Sequence, residues 1–537
     1  MRIGIDLDNT LVCYDNAFLI KAWQLGLIPQ GCNMSRSELR KQIREKSEGE
    51  IAWQRLQGQV YGNGISHAQI FPGAYRFLWR CKRQGHVLEI VSHKTQYGHY
   101  DEGQTPLREV ALEFLASKGL FEAGKPGFID SVQFCDNREE KISWIVGRGF
   151  DFFIDDLPGI LEDEKVPDEV KKVGFDPDQE GNFERASSVR TWREIEDLVL
   201  EECSLDEMVT IANEISSQKM KKGMWHEGGG NSQIVQLCLE SDKRLALKVY
   251  ADEPNRIKAE YEAFSLLAKC GEKRIPKGVQ RDDRWNMALY EWVDGEVIQC
   301  PDSKDVNDAL DLLSRFHKWR VAPDFRAFPN ASASIFSGQE LERQVIQRLA
   351  ILRHDAGDFP MLSEYLDNEL VPEIDKQIQK TKSRWSILAY EAVVPRAERT
   401  LSPSDFGFHN ALRNKEGHLI FLDFEYFGWD DPAKLVGDFL LHPAMNLSIE
   451  LKREWICGAK KIYGPLMHER LIQLLPLLGL CWCLLLLNEF RRDLWVRRKR
   501  AAGAAYRDRS SILKTQLGKS HELLSQVKSD CFEALFE

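Results

Sequence analysis

Four short apolar runs punctuate the first 160 residues: "RIGID" at Arg2–Asp6, "HVLEIVS" at His86–Ser92, "SVQFC" at Ser131–Cys135 and "FDFFIDD" at Phe150–Asp156. Each is followed by polar or helix-patterned sequence. Hairpins need only a short turn between strands, whereas parallel neighbours need a crossover of a dozen residues or more. This rhythm therefore predicts βα units and a parallel sheet. The stretch between the first two runs includes "MSRSELRKQIREKSEGEIAWQRLQ", whose spacing is helical and predicts an inserted cap over about 16–70. "TWREIEDLVL" at Thr191–Leu200 reads as a closing amphipathic helix.

The pattern then changes. Residues 224–300 are strand-rich with one helix over about Asn255–Lys269, and residues 305–390 and 450–525 are helical. A chain of 537 residues exceeds what a single core organises. The expected division is 1–205, a polar linker over 206–222 that contains "QKMKKG", a small β-lobe over 223–300 and a helical lobe over 301–537.

A net charge of −11 excludes a general nucleic-acid-binding surface, which needs a basic face. The twelve cysteines form no CxxC pair and predict reduced thiols in a cytoplasmic protein. No basic segment followed by a long apolar run opens the chain, so no secretory signal is expected. Leu474–Leu487 is too short to span a bilayer and contains Pro476 and Gly479, which predicts a buried helix and no membrane partner. Oligomeric state has no signature here.

"IGIDLDNT" places Asp6 and Asp8 two residues apart at the end of a strand, the edge where open α/β sheets bind ligands. Ser92 follows "LEIV", Lys141 lies in "DNREEKISWI", and Asp155 and Asp156 follow "FDFFI". In this order the set resembles the four motifs of the haloacid dehalogenase superfamily over residues 1 to about 200. The resemblance implies an α/β Rossmann-like phosphatase with a helical cap. Asp6 would be the nucleophile that forms an aspartyl-phosphate, and Asp8 the general acid and base. Ser92 and Lys141 would stabilise the transferring phosphoryl group, with Arg138 or Lys94 as alternatives to Lys141. Mg²⁺ would be held by Asp6, the Asp8 carbonyl and the pair Asp155 and Asp156.

In the second half, "LSPSDFGFHNAL" places Asp405 and Asn410 five residues apart, and "LIFLDFEYFGWDDP" puts Asp423 after an apolar run. "RLALKVY" carries Lys248, "RIKAEYEAF" carries Glu260, and "EGGGNSQIV" supplies Gly228, Gly229 and Gly230. This set resembles the aminoglycoside phosphotransferase and choline kinase group, which has an α+β two-lobed protein-kinase-like fold. It implies that Asp405 is the catalytic base, that Asn410 and Asp423 hold Mg²⁺, that Lys248 oriented by Glu260 meets the phosphates of ATP or another NTP, and that Glu291 and Val293 in "MALYEWVDGEVI" lie near the adenine. The group's usual HGD reads Pro403-Ser404-Asp405 here. His409 is expected to pack the loop or contact substrate, and Asp438 to be a buried hydrogen-bonded carboxylate near His442.

The two resemblances together imply a bifunctional enzyme, a phosphatase joined to a kinase for a small-molecule hydroxyl. The alternatives are a kinase and phosphatase opposed on one substrate, or a phosphatase with a non-catalytic, ligand-sensing kinase-like lobe. Glu364, Asp367, Glu369 and Glu373 could attract a polycation such as an aminoglycoside, or be a solvated helix face; a shared fold does not fix the substrate.

Overall fold

The computed structural model describes the chain apart from residues 31, 33, 99, 101–102, 125–126, 179, 227–231, 251–255, 493, 496–497, 499–507 and 530–531. It divides into two units, one built chiefly on Met1–Cys203 and one chiefly on Ser204–Glu537.

The strands of the first unit are β1 (Arg2–Ile5), β2 (Val12–Cys13), β3 (Gln69–Ile70), β4 (Val87–His93), β5 (Ser131–Cys135), β6 (Phe152–Asp155), β7 (Lys171–Phe175) and β8 (Ser187–Val189). Six of them form a sheet in the order β5-β4-β1-β6-β7-β8, and every pairing in it is parallel. Ile3, Ile5, Leu88, Ile90, Phe153 and Ile154 are buried, as continuous apolar strands covered on both faces require. The chain passes from β1 to β4 on one side and returns from β5 to β6 on the other. The order therefore reverses at the C-terminal end of β1, where a crevice opens in such sheets.

The segment expected as a cap folds as helices Asp15–Gln24, Arg36–Arg44 and Gly49–Tyr61, between the paired strands β2 and β3. Its apolar face closes on itself, with Phe18 stacked on Trp53 at 5.1 Å. The closing helix is Trp192–Val199, begun by a capping box of Thr191 and Glu194. Its Glu196 is buried between Arg76 and Arg80 of helix Ala74–Arg83.

The expected linker over 206–222 is corrected by the structure. Ser204 and Glu207 form a capping box that starts helix Leu205–Ile215, and strand β9 (Met220–His226) follows after four residues. Met208, Ile211, Ala212 and Ile215 are buried along one face of that helix. The polar composition belongs to the other face.

In the second unit β9 joins β10 (Gln233–Leu239), β11 (Arg244–Val249), β12 (Gly278–Asp282) and β13 (Met287–Glu291) in an antiparallel sheet of order β12-β13-β11-β10-β9. Helix Arg256–Lys269 lies between β11 and β12 in the chain and packs on this sheet. A helical lobe follows, beginning with Ser303–Trp319 and ending with Arg509–Lys528. The apolar run lies in helix Pro465–Leu486, which includes Pro476. By length and apolarity Pro465–Phe490 is sufficient to cross a membrane, yet 67% of its most apolar window is buried within the protein. Two short ladders, Thr400–Ser402 with Gly428–Asp430 and Ala411–Arg413 with Leu419–Phe421, fix the loops that carry Asp405 and Asp423.

Candidate functional sites

The first site stands at the end of β1. Asp6 follows the last residue of that strand, and its backbone N–H donates to the Ile154 carbonyl at 2.9 Å, which ties it to β6. Lys141, on helix Arg138–Arg148, is 1% exposed and not the solvated charge that a lone helical lysine usually is. Its Nζ donates to Asp6 Oδ1 at 2.6 Å and lies 2.6 Å from Asp155 Oδ2. Asp155 ends β6 and also accepts the Leu157 N–H at 3.0 Å. Carboxylate oxygens of Asp6, Asp155 and Asp156 lie within 4.8 Å of one another.

Three carboxylates against one ammonium leave an excess of negative charge. Burial first, then Asp155 and Asp8, push Asp6 up to about 7 against the pull of Lys141, and burial with Asp6 and Asp155 holds Asp156 well above the usual carboxylate range. An oxygen-only set with unbalanced charge fits a hard divalent cation. The Ser92 hydroxyl, buried in β4, has no hydrogen-bond partner among the described residues. A buried hydroxyl without a partner is an exception among folded chains and marks this strand end as unusual.

Asp8 is held separately. Lys94 Nζ donates to both of its oxygens, at 2.9 and 2.7 Å, and Tyr14 OH donates at 2.7 Å. Lys94, weighed as a substitute for Lys141, therefore serves the second aspartate, while Arg138 turns away to Asp163. Sequence reasoning missed Tyr14 and also Arg36, which donates from the cap to Asn9. Only their positions in space relate them to the strand end.

The second site is an ion cluster in the C-terminal unit. Lys248 on β11 donates to Glu260 Oε2 at 2.8 Å and to Asp423 Oδ1 at 2.7 Å, with Glu425 Oε2 at 3.7 Å. Glu260 also accepts from Tyr250 OH and, at 2.9 Å, from the Phe424 N–H, so the glutamate fixes both the lysine and the chain beside Asp423. The three acids hold Lys248 well above its ordinary value despite its burial. Burial, with Glu425 and Glu260, raises Asp423 to about 7 although Lys248 opposes this. Glu425 itself is buried against Arg256 at 2.9 Å and accepts from Ser232 at 3.0 Å. Glu425, two residues after Asp423 in "DFE", is a partner that the sequence reading passed over.

Asp405 follows a tight turn in which Ser404 has φ 69° and its N–H donates to Ser402 Oγ at 3.0 Å. His409 Nε2 lies 3.0 Å from Asp405 Oδ1. This bond, with the nearby His442 and Asn410, outweighs burial and keeps Asp405 below the usual carboxylate range. Asn410 Nδ2 donates to the Asp405 carbonyl at 3.0 Å, and the Leu422 N–H donates to the Asn410 carbonyl at 2.7 Å, which brings Asp423 beside this loop. The Asn410 side-chain oxygen accepts no hydrogen bond among the described residues and is free for a cation.

Asp405, His409 and His442 also present donor atoms within 4.8 Å of one another. The imidazoles, however, stack at 3.7 Å with planes 6° apart. Their in-plane lone pairs run side by side and do not converge on one ion, so we read them as a packed pair. Asp438 is partly buried and hydrogen-bonded, accepting from Lys434 at 2.7 Å on its own helix and from Trp482 at 2.8 Å on helix Pro465–Leu486.

The Glu291 carboxylate, at the end of β13, accepts from Lys243 at 2.8 Å. Val293 lies in the irregular segment after β13. Gly228, Gly229 and Gly230 fall outside the described residues.

Residues 227–469 match the phosphotransferase enzyme family. The match covers less than half of the chain and lies within the C-terminal unit, from the segment between β9 and β10 into helix Pro465–Leu486. Among solved structures the C-terminal unit is similar to a spectinomycin phosphotransferase in complex with ADP and spectinomycin, at 13% identity, 61% of this chain, 99% of that one and a TM-score of 0.44. It is also similar to a choline kinase from Cryptosporidium parvum Iowa II, at 13% identity, 62% of this chain, 100% of that one and a TM-score of 0.38. The N-terminal unit has nucleotidase-like relatives. A putative nucleotidase of Bacillus cereus is 26% identical over 212 residues, 38% of this chain and 100% of the relative. Another from Oceanobacillus iheyensis is 23% identical over 167 residues, 30% of this chain and 80% of the relative.

Proposed function

We propose that the chain is a bifunctional phosphate-transfer enzyme of the cytoplasm: a phosphatase of the haloacid dehalogenase type that works through an aspartyl-phosphate, and an NTP-dependent kinase for a small-molecule hydroxyl. The observation that carries it is the pair of buried lysines, each lodged between carboxylates from different elements: Lys141 between Asp6 and Asp155, Lys248 between Glu260 and Asp423. A lysine so placed costs desolvation that burial alone does not return. It is suited to countering phosphate charge at the moment of transfer.

In the first site Asp6 attacks phosphorus while Asp8 gives a proton to the leaving oxygen; Asp8 then takes a proton from the water that cleaves the acyl phosphate. Ser92 and Lys141 hold the phosphoryl oxygens. In the second, Asp405 orients and deprotonates the acceptor hydroxyl, and Lys248 positions the nucleotide phosphates. A divalent cation, Mg²⁺ in this reading, would be held by Asp6, Asp155, Asp156 and the Asp8 carbonyl in one site and by Asn410 and Asp423 in the other, and supplies neutralisation of phosphate charge.

The test is acid quenching during turnover of a ³²P-labelled phosphate monoester. Label retained on wild type and absent from Asp6→Asn supports the covalent route; equal label on both removes it. ATP turnover that persists in Asp6→Asn and is lost in Asp405→Asn supports the kinase half, and turnover that ignores Asp405→Asn removes that half.

A further inference from the structure

His409 meets Asp405 with one edge of its ring, and no hydrogen bond holds it by the other. A carboxylate only accepts, so the Nε2 that lies 3.0 Å from Asp405 Oδ1 carries the hydrogen. The His409 Nδ1 is buried and has no hydrogen-bond partner among the described residues. An imidazole at a working site is ordinarily oriented by a bond to its second nitrogen. Here the orientation has to come from contact with the face of the ring.

His442 supplies that contact. Its ring lies parallel to His409 at 3.7 Å with planes 6° apart, so a tilt of His409 toward it is blocked by van der Waals contact. His442 is in turn fixed on three sides. Its backbone N–H donates to the Asp438 carbonyl at 2.9 Å and closes helix Pro432–Leu441. Its Nδ1 accepts the Ala444 N–H at 3.2 Å, which places the ring hydrogen on Nε2. Trp482, from helix Pro465–Leu486, crosses the ring edge-to-face at 4.9 Å and 86°. Trp482 Nε1 donates to Asp438 Oδ1 at 2.8 Å, and Lys434 holds the other oxygen of that carboxylate at 2.7 Å. Asp438 therefore holds His442 twice, by its own carbonyl at the backbone and through Trp482 at the ring. Burial first, then His409, lower His442 to about 4, so the ring is neutral at neutral pH.

We propose that His442 is a positioning residue of the kinase site: stacked on His409 and bracketed by Trp482 and Asp438, it keeps the His409 Nε2–H on Asp405 and so aims that carboxylate. The assignment rests on the kinase reading. The role belongs to the flat face of the ring and not to its nitrogens, which separates it from a proton relay and from a metal ligand.

Two substitutions separate face from nitrogens. His442→Phe keeps a flat ring, with a space of about 350 Å³ beside it to take the added atoms, and loses both nitrogens. His442→Asn keeps an acceptor for the Ala444 N–H and loses the ring. With ATP and Mg²⁺, and water in place of the acceptor, His442→Asn should lower kcat about tenfold, the scale of a slight misplacement of a reacting group. KM for ATP should hold, and His442→Phe should recover most of the loss. The ring itself is read by ¹⁵N NMR of the full chain labelled at histidine, with His409→Gln assigning the His409 signals. A single Nε2–H pattern is expected in wild type and His442→Phe, and an averaged one in His442→Asn. If His442→Asn does not fold, Trp482→Phe, which loses the bond to Asp438, carries the same comparison. Equal losses of kcat in His442→Phe and His442→Asn, or a His409 pattern that ignores removal of the ring, overturn the proposal. If wild type hydrolyses no ATP the kinase reading falls, while the NMR signals still decide whether His442 orients His409.

Discussion

His409 Nε2 and Asp405 Oδ1 are 3.0 Å apart, with His409 in the single 3-10 turn Phe408–Asn410, so the imidazole fixes the direction of the carboxylate proposed as the base. We expect His409→Ala to lower kcat for NTP-dependent transfer by roughly 10- to 100-fold, the scale of a small misplacement of a reacting group. KM for the nucleotide should hold. Partial recovery in His409→Gln, which keeps a donor, would mark the role as positioning; unchanged kcat in His409→Ala would rule it out.

Gly407 leaves room for that ring. A Cβ added there would come within 2.6 Å of Met445 Sδ and 2.7 Å of the His409 ring, although its φ of 177° suits any residue. Gly407→Ala should therefore reproduce the kinetic loss of His409→Ala without backbone strain, and with stability reduced by no more than about 1–3 kcal/mol for overpacking. Thermal melts and steady-state kinetics on the same sample check both parts. Full activity would show that the ring does not need its present place.

Lys141→Met should silence the phosphatase and leave NTP turnover intact. Removing the ammonium strands buried Asp6 and Asp155, a loss of about 3–5 kcal/mol for a broken buried pair, so the melting of the N-terminal unit should also move down. Added Mg²⁺ should recover part of that stability. A variant that hydrolyses phosphate monoesters at the wild-type rate would contradict the assignment.

Asp430, on the ladder that fixes the Asp405 and Asp423 loops, provides a pH test of stability. Burial raises its pKa from 3.8 to about 7, with Asp438 adding and Lys434 opposing. The folded state keeps a proton that the unfolded chain releases near pH 4, so stability falls as pH rises between about 4 and 7 and levels off above, by at most about 1.4 kcal/mol per pH unit. Asp430→Asn can still accept from the Ile335 and Asp431 N–H groups, and Lys434 keeps Asp438 at 2.7 Å. The variant should flatten Tm against pH in that window. An unchanged slope would place the titration elsewhere.

The strand-end carboxylates were legible because short continuous apolar runs followed by polar sequence mark Asp6, Asp8 and Asp155 as residues at the C-terminal ends of sheet strands. Lys248 and Glu260 were legible as a strand followed by a helix. What the sequence hid were relations set by distance in space: Lys141 inserted between two aspartates from different strands, Lys94 on Asp8, and His409 turned back on Asp405. The supposed linker was misread for another reason. Its capping box was present in "SLDE", but the polar face of an amphipathic helix has the composition of a loop.

The most direct measurement is ³¹P NMR of a small-molecule extract from the source organism, incubated with ATP, Mg²⁺ and wild type, Asp6→Asn or Asp405→Asn protein. The account predicts a new phosphoester that is absent with Asp405→Asn, and a second phosphoester that persists only with Asp6→Asn. If Asp405→Asn matches wild type while Asp6→Asn abolishes all turnover, the chain is a phosphatase with a binding lobe, and the claim of two phosphate-transfer sites is contradicted.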